Sequence, residues 1–207
     1  EDVLEKSYPH GMIGGFLANY YEMAFKGTEE ATDFEVATTD IFREVFHYNA
    51  PPLVQTGSLS APDVLLISDS DGYQAVLDNK AYSKYSITGD HHNRMVNNYL
   101  KKIASYSDCT YPIGFFAYIA GGFISTFDKQ VKREADESGV HGSGITVGNF
   151  IKMVERAAEH PYSHGHLRNI FSLDRQVRIG DIISKASVHQ MPQSNIGMVA
   201  ETPGKYE

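Results

Sequence analysis

Asp63, preceded by Pro62, and the triplet Asp78-Asn79-Lys80 fifteen residues later are the side chains whose types and spacing point most directly to chemistry. The intervening stretch, VLLISDSDGYQAVL, reads as two apolar strands around a turn-rich centre, so one carboxylate heads the first strand and the other ends the second. Side chains alternate along a strand, which sends Asp78 and Lys80 to one face and Asn79 to the other. Two carboxylates and an ammonium on one face suit magnesium-dependent hydrolysis of a phosphodiester. Magnesium takes an oxygen shell with one or two protein carboxylates, water and substrate phosphate. Lys80 then either stabilises charge on the phosphorus centre or holds and helps deprotonate the attacking water. The competing reading is a plain hairpin with a solvated Asp78–Lys80 ion pair.

The hexapeptide DNKAYS, residues 78–83, with its upstream Pro-Asp, resembles the DxKAYS signature of the cleavage domain of FokI-type type IIS restriction endonucleases. Asp33-Phe34-Glu35-Val36 is similar to that family's acidic helix opening. The two apolar strands of 114–127 and the segment 130–151 follow the family's order, so the resemblance spans roughly residues 30 to 160. It implies an α/β fold with a mixed central sheet flanked by helices on both faces, of the PD-(D/E)XK restriction-endonuclease type. It also implies an endodeoxyribonuclease in which water attacks phosphorus in line, leaving a 5' phosphate and a 3' hydroxyl. Asp63, Asp78 and the backbone carbonyl of Asn79 are then the magnesium ligands, Lys80 acts on the water and transition state, and Glu35 completes or orients the shell. Glu44, on the same predicted helix, is the fallback for Glu35. The resemblance further suggests Asp90 and Arg94 as a dimer-interface pair and Lys129, Gln130 and Arg133, with Lys132 beside them, as DNA-backbone contacts. An exposed helical ion pair and a mixed solvated helix face are the competing readings of those two groups. The implied partners are double-stranded DNA, a fused or associated recognition domain, and a transient homodimer or partner nuclease subunit. A nicking or junction-processing nuclease of the same superfamily, and a non-catalytic DNA-binding or assembly module, remain open.

The elements that must position these residues follow from periodicity. Met12, Phe16, Tyr20 and Ala24 predict a helix over 12–25. Phe34, Ala37, Ile41 and Val45 predict a second over 33–46, capped by Asp33 and ended by Pro51-Pro52. Residues 57–60 lead into the hairpin of 64–67 and 73–77, and 83–89 reads as a loop. Helices are expected over 90–103, with Met95 and Tyr99 on one face, over 127–137 and over 149–159. Strands are expected over 113–120, broken by Gly121-Gly122, and over 145–147, with 123–126 either a strand or the approach to the next helix. His160, His164 and His166 of HPYSHGH suit zinc by residue type, but Pro161 and Gly165 favour a loop of surface histidines. His91-His92 points in two directions and predicts nothing.

With 207 residues, 42% of them hydrophobic, the chain is sized for one core, expected as a nuclease domain over 1–180 with a tail or linker over 181–207. The first residue is Glu1, an expectation of a domain cut from something longer. A single cysteine, Cys109, excludes an internal disulfide and multi-cysteine zinc sites and suits a reducing cytoplasm; no apolar stretch is long enough to span a bilayer. The 26 acidic residues exceed the 18 basic ones, which predicts weak DNA binding by this segment alone and affinity supplied by tethering.

Overall fold

The computed structural model describes residues 11–53 and 61–184. Helix α1 (Gly11–Met23) and a short 3-10 turn (Gly27–Glu30) lead directly into α2 (Ala31–Glu44). The motif hairpin follows as β1 (Val64–Ser68) and β2 (Tyr73–Lys80), paired antiparallel with Val64 opposite Leu77. Gly72, at φ 63° in the connecting turn, takes the left-handed conformation that a side chain would oppose. Next comes α3 (Gly89–Asn93), which widens into a π-helical stretch over Arg94–Leu100. The rest runs β3 (Ile113–Ala120), α4 (Phe127–Ser138), β4 (Gly142–Thr146), α5 (Val147–Glu159), α6 (His164–Phe171), β5 (Arg175–Gln176) and α7 (Ile179–Ile183).

The sheet order is β1-β2-β3-β4-β5, with every pairing beyond the hairpin parallel. Strands apolar on both faces must be covered on both faces. Leu66, Ala75, Leu77, Phe115, Ala117 and Ile119 meet residues of α1, α2, α5 and α6. Leu65, Val76, Phe116 and Tyr118 meet Met95 and Tyr99 of the π-helical stretch and Val131 and Ala135 of α4. The expected mixed sheet with helices on both faces is therefore the observed fold. On the thinner side, aromatic rings occupy space left by glycine. Phe116 lies over its cross-strand neighbour Gly142 and Phe127 over Gly144, so a methyl at either glycine would overlap a ring.

Several predicted boundaries shift. Phe16 is 41% exposed rather than core-facing, because Leu17, Tyr20, Met23 and Ala24 form the buried stripe and Tyr20 packs on Phe34 and Phe150. The 3-10 turn carries the chain into α2 two residues early, so Asp33 sits in the first turn instead of capping it. α2 ends at Glu44, well before the prolines, where His47 takes φ 60° and turns the chain; Val45 is only half-buried while Phe42 and Phe46 are buried. The single helix expected over 90–103 starts at Gly89, capped by Thr88, and its wider turn buries Val96 and Leu100 alongside Met95 and Tyr99. Residues 123–126 approach α4, with Phe123 bridged to Tyr85. β4 begins at Gly142, and Val147 belongs to α5, because Thr146 caps that helix through the Asn149 N–H. Both α6 and β5 are additions to the expected elements. α7 buries Ile182 against the first core. Residues 57–60, and those from 185 onward, lie outside the described residues. Among the described residues no helix is long and apolar enough to cross a membrane.

Candidate active site at the end of the hairpin

β2 continues three residues past its predicted end, which keeps Asp78-Asn79-Lys80 in extended backbone. By strand alternation Asp78 and Lys80 share the face of Val76, and Asn79 shares that of Leu77. Asp78 is 2% exposed and its Oδ1 receives the Lys80 Nζ at 2.6 Å. Asp63, one residue before β1, is fastened by the Asn79 backbone, whose N–H donates to Asp63 Oδ2 at 2.6 Å. Asp63 lies within hydrogen-bonding reach of Asp78, and Glu35 of α2 within reach of Asp63. Four of the expected site residues, from three separate segments, thus meet in one notch.

The electrostatics of the notch are those of crowded acids. Burial pushes the Asp63 carboxyl well above the usual carboxylate range, the charge of Asp78 raises it further, and Lys80 opposes both. Glu35 is raised for the same two reasons in the same order. Against these acids the Lys80–Asp78 ion pair supplies one ammonium. A divalent cation matches this donor set, because two carboxylates in mutual reach are what magnesium takes from a protein. Among the described residues no group of three His, Cys, Asp or Glu side chains stands in ligand geometry.

The Asn79 side chain has a role that its reading as a carbonyl ligand did not include. Its Nδ2 donates to the Phe34 carbonyl at 3.0 Å and to Thr38 Oγ1 at 2.6 Å, both on α2. These two bonds pin α2 beside Glu35 to β2. The signal was present in the alternation: an amide sent into an apolar core needs a partner there. Glu44, the fallback acid, is exposed at the end of α2, about 13 Å along the helix from Glu35.

Other expected residues are placed apart from the notch. Asp90 and Arg94 pair within one helical segment, Oδ2 to Nε 2.9 Å, both substantially exposed. Gln130 does not reach outward: its Oε1 accepts the Ile87 N–H at 3.1 Å and its Nε2 donates to Ser86 Oγ at 3.0 Å. Lys132 is ion-paired with Asp136, whereas Lys129 and Arg133 are exposed. HPYSHGH is not a surface loop throughout. His164 opens α6, capped by Ser163, stacks on Tyr48 at 3.8 Å, and bonds through Nδ1 to Ser68 Oγ at 2.8 Å and through Nε2 to the Phe46 carbonyl at 2.8 Å. It ties α6 to the hairpin turn.

Beneath the notch lies a buried acid that composition alone concealed. Tyr118, in register with Asp78 on the next strand, donates to both carboxylate oxygens of Glu134 at 3.1 Å. Glu134 Oε1 stands 3.5 Å from His92 Nδ1, and His92 Nε2 lies 2.8 Å from Glu137 Oε2. The helical spacing Phe127, Val131, Glu134 puts Glu134 on the buried stripe of α4, which was the available signal. Burial pushes its carboxyl up to about 9, with Asp78 adding to the rise and the Tyr118 hydrogen bond opposing it. The folded chain therefore holds a proton that the unfolded chain releases above the ordinary value of 4.5, so stability falls as pH rises between 4.5 and about 9. For one group the slope is at most about 1.4 kcal/mol per pH unit. Glu134→Gln is expected to flatten this decline; denaturant melts at pH 5, 7 and 8.5 check it, and parallel curves for the two proteins would contradict it.

The FokI cleavage-domain family matches residues 1–178 of the chain. The structure of restriction endonuclease FokI superposes with a TM-score of 0.63 at 20% identity, covering 76% of this chain and 30% of that one. The structure of FokI bound to DNA superposes at 0.66 with 17% identity, covering 78% and 30%. The chain thus spans under a third of the length of the FokI chains it matches. Among curated proteins none matches. At such identities the superpositions speak for the fold, and the sequence match over residues 1–178 speaks for descent. This chain belongs to the FokI cleavage-domain family.

Proposed function

We infer that this chain is the cleavage domain of a type IIS-like restriction endonuclease, hydrolysing DNA phosphodiesters with little sequence preference of its own. The observation that carries the reading is the meeting of Asp63, Asp78, Lys80 and Glu35 in one notch of a FokI-type fold. Asp63 and Asp78, with the Asn79 backbone carbonyl, would hold magnesium, which when bound polarises the phosphate and acidifies water. Lys80 brings positive charge to the phosphate as negative charge builds in the transition state, and helps orient the water. Glu35 takes a water or completes the shell. Asn79 keeps both Asp63 and α2 in place, through its N–H and its side chain respectively. In-line attack leaves a 5' phosphate and a 3' hydroxyl.

With a net charge of −8 the domain relies on a fused or associated recognition domain to bring it to double-stranded DNA. Cutting both strands takes two such domains, as a transient homodimer or with a partner nuclease subunit. Asp90 and Arg94, exposed and, among the described residues, ion-paired with each other alone, are free to exchange partners across that contact. A reducing cytoplasm is the compartment that suits the free Cys109.

The test is cleavage of supercoiled plasmid by the chain fused to a sequence-specific DNA-binding module. Nicked and linear product are expected with magnesium and none after chelation. Equal cleavage in the chelated reaction, or none with magnesium under tethering, would overturn the reading.

A further inference from the structure

The adjacent imidazoles of α3 have different surroundings. Both nitrogens of His92 lie against carboxylates, Glu134 at 3.5 Å and Glu137 at 2.8 Å. The ring of His91 has one hydrogen-bond partner, the Tyr85 hydroxyl 3.0 Å from its Nδ1, and among the described residues its Nε2 has none. Tyr85 fixes where that ring can be. It is 2% exposed and packs on Tyr118 at 5.4 Å and on Phe127 at 6.3 Å between ring centroids. Its N–H donates to the Gly122 carbonyl at 2.8 Å and its carbonyl accepts the Ile124 N–H at 3.1 Å. Tyr118 is the cross-strand partner of Asp78, and residues in parallel register project to one face, so Tyr85 packs on the neighbour of a notch acid. The His91 backbone is held as well, because its N–H donates to the capping Thr88 Oγ1 at 3.3 Å.

This arrangement selects one tautomer. A buried phenol proton needs an acceptor, and His91 Nδ1 is the hydrogen-bond partner that the Tyr85 hydroxyl has among the described residues. Burial, then the charges of Asp78 and Glu134, raise the Tyr85 phenol and keep it protonated. Tyr85 therefore donates, Nδ1 accepts, and the ring proton of a neutral His91 sits on Nε2. The ring is neutral at pH 7, because burial first and the charge of Lys80 second lower it from the ordinary 6.5, with Asp78 opposing. Lys80 and Asp78 act on this ring more strongly than Arg94 and Asp90 of its own helical segment, which puts His91 on the notch side of α3.

The geometry points to His91 as a further catalytic residue, whose Nε2–H donates a hydrogen bond to an oxygen of the scissile phosphate beside Lys80, and to Tyr85 as the positioning residue that fixes its ring and tautomer. The inference rests on the nuclease reading of the notch. No proton is transferred in this step: it stays on Nε2, and the hydrogen bond strengthens as negative charge gathers on the phosphate oxygens during in-line displacement. A neutral donor suits a place next to Lys80, where a second full positive charge would be repelled. His92, with both nitrogens against carboxylates, is not available for the same task.

The test compares plasmid cleavage, with magnesium, by the parent and variant chains fused to one sequence-specific DNA-binding module. His91→Ala is expected to lower kcat about 100-fold, while KM, set by the fused module, changes less than about threefold. His91→Gln, whose side-chain amide N–H reaches toward the place of Nε2, is expected to stay within about tenfold of the parent, and the shorter His91→Asn to match His91→Ala. Tyr85→Phe is expected to lower kcat roughly tenfold through the ring it no longer holds. Proton–nitrogen correlation spectra of the imidazole at pH 8, assigned by the signals lost in His91→Gln, are expected to show the Nε2–H tautomer in the parent and a mixture in Tyr85→Phe. A purely structural role for Tyr85 would not tie the rate to the tautomer. His91→Ala cleaving within about threefold of an active parent overturns the role of His91 and leaves the nuclease reading standing. Where His91→Ala melts early, the other pair decides, and equal rates for His91→Gln and His91→Asn overturn it. An Nδ1–H tautomer in the parent overturns it as well. A parent that is inactive under tethering overturns the nuclease reading, and this inference with it.

Discussion

Asp78→Ala and Lys80→Ala are each expected to lower cleavage by the tethered chain by on the order of a thousandfold, while leaving the fold intact. Asp78 is 2% exposed and its charge raises both Asp63 and Glu35, so removing it takes away a proposed magnesium ligand and also relieves repulsion. The expected signature is therefore paired: activity lost and stability unchanged or higher. The pH dependence has a fixed sign. Carboxyls raised in the folded chain hold protons that the unfolded chain has released, so they cost stability as pH rises above the ordinary carboxylate value. The stability difference between Asp78→Ala and the parent is accordingly expected to grow in the variant's favour from pH 4 to pH 8. Plasmid cleavage and thermal melts of the same preparations check both halves. Residual cleavage within tenfold of the parent, in a preparation free of contaminating nuclease, would remove Asp78 from the mechanism.

Asn79→Ala is expected to cost about 2 kcal/mol of stability and to lower cleavage by roughly 10- to 100-fold. The variant keeps the backbone N–H that fastens Asp63, so the first acid stays where it is. It loses the amide that joins β2 to Phe34 and Thr38, and with it the anchor for Glu35 one residue along α2. Thr38 Oγ1 also donates to the Phe34 carbonyl at 2.8 Å and lies 2.9 Å from the Tyr20 hydroxyl, so this small network joins α1, α2 and β2. Members of one network do not contribute independently. Thr38→Val combined with Asn79→Ala is therefore expected to cost less than the sum of the two. Additive denaturant midpoints would show that the side chains act separately, and unchanged cleavage by Asn79→Ala would show that Glu35 needs no such anchor.

The hairpin was legible because its evidence is local: apolar runs, a turn-rich centre with Gly72, and a period of two that sorts Asp78 and Lys80 from Asn79. The helix α2 was legible for the same reason, through the stripe of Phe34, Ala37 and Ile41. The helix beginning at His164 was not, since Pro161 and Gly165 read as breakers while the Ser163 cap and the stacking of His164 on Tyr48 depend on a partner over a hundred residues away. Phe16 was misplaced because a helix with apolar residues on several sides does not announce which side meets the sheet. Gln130 was read as an outward contact, and only its neighbours from 86–87 show it turned inward.

The order of residues by itself determined the chemistry on offer, two acids and a lysine, and the strand alternation that puts Asp78 beside Lys80. Tertiary structure alone decided that Asp63 and Glu35 join them, that Asn79 faces α2, and that Glu134 is buried against Tyr118. The physical reason is range. Backbone geometry acts over a few residues and can be read along the chain, whereas burial, charge crowding and the partner of a buried polar group exist only once distant segments share one space.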